Sequence, residues 1–174
     1  MIAPSLTQID STRVDGFRPQ VVGCFVHAKK IFMFHEEKYD LWQLPQGGIE
    51  NKETIEQAVE REMTEELGKN FFSFAIKSYT LMGSNSVKFP PEHRGSRELK
   101  MDDGQEIEMR GKWYYFISIQ TAADKLAIEE SDFDTFKLLS HKEAIELADS
   151  IYQKGKKRVT LLAIDLLKQN NIIQ

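Results

Sequence analysis

Glu62, Glu65 and Glu66 stand at positions i, i+3 and i+4 of one short segment, a spacing that turns three carboxylates to one face of a helix. Like charges so placed repel by on the order of a few tenths of a kcal/mol per close pair. A segment that keeps them together offers hard oxygen ligands to a divalent cation such as Mg²⁺. Just upstream, Pro45, Gln46, Gly47 and Gly48 form a turn whose adjacent glycines let backbone approach a ligand or metal closely. The arrangement on offer is a divalent-metal site.

The elements that must position these residues are legible around them. Ile55, Val59, Met63 and Leu67 recur every four residues with Ala58 between them, an apolar stripe that faces a core. Glu62 and Glu66 fall at the border of that stripe and Glu65 just beyond it, a partly buried rim where charge interactions are stronger than in open water. Gly68 is expected to close the helix.

The order Gly47, Glu53, Arg61, Glu62, Met63, Glu65, Glu66, Gly68 fills the pattern G-x5-E-x7-R-E-U-x-E-E-x-G-U, where U is aliphatic, and so resembles the signature of the Nudix hydrolases. Only Lys69 departs from it, at the final aliphatic position. Seven fixed positions matched by accident, at about 6% usage each, would arise on the order of once in a few million chains this long. An ordinary charged helix accounts for the stripe and for Glu56 and Glu60, but not for the glycine turn and the glutamate spacing together.

The flanks are similar to one group within that family, the RNA pyrophosphohydrolases and dinucleoside polyphosphate hydrolases. Trp42 to Ile49 resembles its W-Q-F/L-P-Q-G-G-I lead-in, and Gly16, Phe17, Arg18 and Pro19 its G-Y-R-P opening. Lys112 and Trp113 resemble its Q-K-W-F strand, and Ser131, Asp132, Phe133 and Asp134 its P-E-F-D element. These matches run in the same order over roughly residues 16 to 138.

The resemblance implies an α/β/α sandwich around a mixed sheet and Mg²⁺ (or Mn²⁺) held by Glu62, Glu65, Glu66 and the backbone carbonyl of Gln46. It gives Gly47, Gly48, Glu53, Arg61 and Gly68 structural parts, with Glu53 and Arg61 an ion pair tying the glycine turn to the helix. It points to Arg18 and Lys112 as substrate-binding residues, and to Asp132, one methylene shorter than the usual glutamate, as a metal ligand or general base. Glu65 is the rival base. Lys52 stands where these enzymes commonly have glycine, and Thr135 and Phe136 replace a Gly-Trp pair. The favoured substrate is the 5′-triphosphate end of RNA. A dinucleoside polyphosphate such as diadenosine tetraphosphate is the alternative, and a non-catalytic nucleotide-binding domain is the reading from another class.

Length and composition bound the rest. The 174 residues suit a single domain, expected over 16–174 with a flexible polar arm at 1–15, that buries roughly 70% of its unfolded surface. Hydrophobic content of 41% and charged content of 29% are those of a soluble protein. The N-terminus lacks a signal-peptide pattern and no apolar run reaches a membrane span. Cys24 is the lone cysteine, inside an apolar run, and reads as a small buried residue; a cytoplasmic protein is expected. A net charge of −4 argues against a broad basic face for nucleic acid, although Lys88, Arg94, Arg97, Lys100, Arg110 and Lys112 could grip one phosphate-rich end.

Strands are expected at 20–27, 30–34, 41–44, 74–83, 106–120 and 136–139, and two further helices at about 141–148 and 157–168. Between them, 84–104 reads as a long polar excursion of the kind that carries function.

Overall fold

The structure, a computed structural model, describes residues 3–93, 98–122 and 128–174; Arg94 and Arg97 lie outside them. A seven-stranded mixed sheet forms its centre. β1 (Phe17–His27) runs parallel to β8 (Gly111–Thr121), with Val21 opposite Tyr115 and Val22 opposite Phe116. β2 (Lys30–Glu36) pairs antiparallel with β1, with β3 (Leu41–Gln43) and with β9 (Thr135–Leu139). The long β5 (Ala75–Lys88) closes the other edge against β8.

Side chains alternate across the sheet, so each of the two central strands feeds both cores. Val21, Phe25, Tyr115 and Ile117 face α2 (Ile55–Phe72), where Ala58, Val59, Met63 and Leu67 are fully buried. Val22, Cys24, Tyr114 and Phe116 face α3 (His141–Asp149) and α4 (Lys154–Gln169). This is the expected sandwich, and Cys24 lies inside it with burial raising its thiol pKa. Among the described residues, no helix is long and apolar enough to cross a membrane.

Four local expectations are corrected. The N-terminal segment is not an irregular arm: α1 (Leu6–Val14) starts from a Ser5–Gln8 capping box and docks on β1. Its propensity is weak, and tertiary contacts hold it: Ile9 is buried, and the buried Arg13 donates to the carbonyls of Ile49 and Glu50 at 2.9 Å each. The glycine turn is partly strand, because β4 (Gln46–Gly48) pairs with β1. Gly68 bends α2 (φ +78, ψ 155) and helix resumes to Phe72, since Phe71 and Phe72 still have a core to enter. Within 84–104, β5 runs on to Lys88, and β6 (Glu98–Lys100) pairs with β7 (Glu106–Glu108), itself split from β8.

Candidate active site

α2 begins where Thr54 and Gln57 form a capping box, which leaves the preceding turn free to fold back over the helix. Arg61 fastens it there. Its Nε and Nη2 donate to the two oxygens of Glu53 at 2.9 and 2.7 Å, Nη2 also reaches the Gly48 carbonyl at 2.8 Å, and Nη1 donates to Glu62 at 2.7 Å. Glu53 in turn accepts from the Glu50 amide at 2.7 Å. The paired donors of a guanidinium suit a carboxylate in this way, and the hydrogen bonds to Glu53, then those to Glu62, raise the Arg61 pKa. Lys52, beside this turn, takes a left-handed φ of +61, the conformation that makes glycine common there. Asp102 compensates by accepting from the Lys52 amide at 3.1 Å.

Glu62 and Glu66 flank the Gln46–Gly47 backbone. A Cβ on Gly47 would fall 1.7 Å from a Glu62 carboxylate oxygen, so the missing side chain is what lets that carboxylate lie on the turn. Glu66 accepts from the Gln46 amide at 2.8 Å. Burial pushes its carboxyl up to about 8, with Glu62 and Asp132 adding to the rise and the Gln46 amide and Lys156 opposing it. Glu65 departs from the expected convergence: its side chain is 62% exposed and approaches Arg61 only at 3.6 Å. Among the described residues no three such side chains form a preformed metal cage; Glu62 has turned to a guanidinium and Glu66 to a backbone amide, each taking the nearest donor rather than another carboxylate.

The 131–134 loop is brought to the same place. The Gly68 bend leaves the Glu66 carbonyl to accept from the Asp132 amide at 2.9 Å and the Ser131 hydroxyl at 2.7 Å. Phe133 is buried against Phe34, ring centroids 5.4 Å apart, and fixes the loop from below.

Arg18 lies across Gly48, where a Cβ would sit 2.5 Å from its Nη2, and lines a cavity together with Glu62. Lys112 is its direct neighbour across the parallel pair β1–β8, which places both cations at the same end of the sheet.

One participant escapes sequence reasoning. Lys156, in the first turn of α4, is mostly buried; desolvation lowers its pKa while Glu66 and Glu36 pull it back up. The helix expected at about 157–168 leaves Lys156 outside it, whereas α4 begins at Lys154. A signal was present, because cations at a helix N-terminus oppose the dipole and this helix has no acid in its first turn.

A NUDIX domain matches residues 17–161. The RNA pyrophosphohydrolase of Aliivibrio fischeri (strain MJ11) is 48% identical over 162 residues, covering 86% of this chain and 89% of that protein. That of Photobacterium profundum is 46% identical over 164 residues, covering 86% and 87%. Among solved structures, the Escherichia coli dihydroneopterin triphosphate pyrophosphohydrolase superposes with a TM-score of 0.57 at 15% identity, over 88% of this chain and 98% of that one. At that identity the likeness speaks for the fold alone.

Proposed function

Since the chain belongs to the Nudix family and is a pyrophosphohydrolase acting on phosphoanhydride bonds, we propose that its substrate is the 5′-triphosphate end of RNA in the cytoplasm. One water added across the α–β phosphoanhydride bond leaves a 5′-monophosphate end and releases pyrophosphate; removal of the same two phosphoryl groups one at a time takes two waters and releases two phosphates. The observation that carries this reading is the pair of carboxylates, Glu62 and Glu66, bracketing the Gln46–Gly47 turn in a chain with 48% identity to an RNA pyrophosphohydrolase.

The donor set fits Mg²⁺: carboxylate and carbonyl oxygens, with a side-chain-free Gly47 as the cradle. Glu62, Glu66 and the Gln46 carbonyl would hold it, joined by Glu65 once its exposed side chain turns inward. Bound there, the ion supplies Lewis-acid stabilisation of phosphoryl charge. Arg18, Lys112 and Lys156 bring positive charge to the polyphosphate. Asp132, held to α2 through its own amide, takes the proton from the attacking water.

The deciding experiment incubates the protein and Mg²⁺ with 5′-triphosphorylated RNA, diadenosine tetraphosphate and nucleoside triphosphates. RNA is expected to show the highest kcat/KM; a preference for diadenosine tetraphosphate would move the assignment to the dinucleoside polyphosphate hydrolases. Absence of turnover on all three would leave a nucleotide-binding domain.

Two variants test the roles. Asp132→Asn is expected to lower kcat by about 10²–10⁴-fold, the usual contribution of a positioned base, with little change in KM because the loss falls on the transition state. If it stays within a few-fold while Glu65→Gln is inactive, the helix supplies the base. Alanine at Arg18 or Lys112 is expected to raise KM more for longer polyphosphates than for short ones; an unchanged KM across the series would refute phosphate or base contact.

A further inference from the structure

A cavity of about 490 Å³ opens next to the hydrolytic site, with Glu62 and Arg18 among the residues that line it. Its walls come from α1, the turn after β4, and the β6–β7 hairpin. The buried side chains of Ile49, Leu99 and Met109 make an apolar floor. Arg18 covers one side with its guanidinium against Gly48, and the exposed Glu50 and Glu98 stand at the margin. Neither carboxylate takes part in a salt bridge among the described residues.

The cavity is built rather than incidental. Asp102, just beyond β6, accepts from the Asn51 side-chain amide at 2.8 Å and from the Lys52 amide at 3.1 Å, and its own amide donates to Asp10 of α1 at 3.2 Å. Arg13 is spent on the carbonyls of Ile49 and Glu50 and on Asp10. Hairpin, turn and helix are therefore locked to one another before any ligand arrives, which reduces the ordering cost of binding.

An apolar floor, a guanidinium plane and carboxylate acceptors are the features that bind an unstacked nucleobase: its face rests on apolar and guanidinium surfaces while its edge is read by hydrogen bonds. Carboxylates accept only, so they select an edge that donates. We propose that this cavity is a nucleobase subsite that prefers a base bearing an exocyclic amine, with Glu98 and Glu50 as the groups that read the amine. The proposal rests on the hydrolase reading for its place next to the phosphates, but binding to the cavity is measurable without turnover.

Cytidine and uridine monophosphate probe it directly, because they differ where one presents an amine and the other a carbonyl. In protein carrying labelled methyl groups, cytidine monophosphate is expected to shift the Leu99 and Met109 methyl resonances. It is also expected to bind about tenfold or more tightly than uridine monophosphate, the scale set by one hydrogen bond to a charged group. Glu98→Gln, whose amide can donate or accept, is expected to bring the ratio toward one, with Glu50→Gln as the companion variant. Equal affinity for the two nucleotides, unshifted Leu99 and Met109 methyls, or a ratio that survives both substitutions would overturn the subsite. A protein that turns over triphosphorylated RNA yet gives any of these results retains its hydrolase assignment and loses only this one. A protein inactive on RNA that still discriminates the two nucleotides retains the subsite and loses the other.

Discussion

Glu66→Gln is expected to remove nearly all hydrolytic activity while the protein stays folded. Charge stabilisation by a catalytic cation is worth several kcal/mol, so its loss corresponds to on the order of 10³-fold or more in kcat. Stability moves the other way. With chelator present, Glu66 must ionise in a desolvated place; its folded value of about 8 lies above the ordinary 4.5. For an acid raised in this way the folded state holds the proton that the unfolded state has lost, so stability is full below 4.5 and declines as pH rises through about 8. Glutamine has no proton to lose. The variant should therefore melt higher than the parent at pH 8, and the gap should close below 4.5. Near-normal turnover of Glu66→Gln would refute the metal-site assignment, and thermal melts at the two pH values check the rest.

Arg61→Ala is expected to give the largest loss of stability. It strips the partner from Glu53 and Glu62, whose side chains are only 12% and 14% exposed, and frees the Gly48 carbonyl. Breaking a fully buried ion pair costs about 3–5 kcal/mol. The Arg61 side chain is 26% exposed, so water screens part of that, and about 2–3 kcal/mol remains. For a chain of this size that lowers Tm by roughly 5–10 °C. Activity should fall with it, because the turn and the Glu62 carboxylate are positioned by the same guanidinium. A Tm within about 1 °C of the parent would show that solvent supports these groups without Arg61.

The contrast between these residues and others shows what the chain discloses by itself. The stripe from Ile55 to Leu67 and the spacing of Glu62 and Glu66 are local, repeating signals, and helix geometry carries them directly into space. Six of the seven strands of the sheet were legible for the same reason, as apolar runs bounded by turns, whereas β4 was hidden in a proline-glycine turn. α1 was not, because its sequence has little amphipathic pattern and its anchor is a charged residue: Arg13 is buried by carbonyls 36 and 37 positions away. The continuation of α2 past Gly68 was hidden because glycine ends most helices, and only the core beyond it recruits Phe71 and Phe72. Glu65 turning outward and Lys156 lying beside Glu66 have a further cause. Spacing places a side chain on a face but does not say which way it turns or which distant residue arrives beside it. The cavity walls were the least legible of all, since α1, a turn and a hairpin are joined there through Arg13 and through both the amide and the carboxylate of Asp102.

The bond between the Glu66 carbonyl and the 131–134 loop bears on how relatives of this protein can differ. Its anchor sits at the far end of the connection that leaves β8, immediately before β9. Residues added to or taken from the β8 side of that connection change its reach but not the station of Asp132, which travels with the helix that carries Glu66. An exchange of the β8 side between homologues therefore leaves the acid beside Glu66 in place. Insertions between Ser131 and Phe133 have no such latitude, because they separate the aspartate from its anchor.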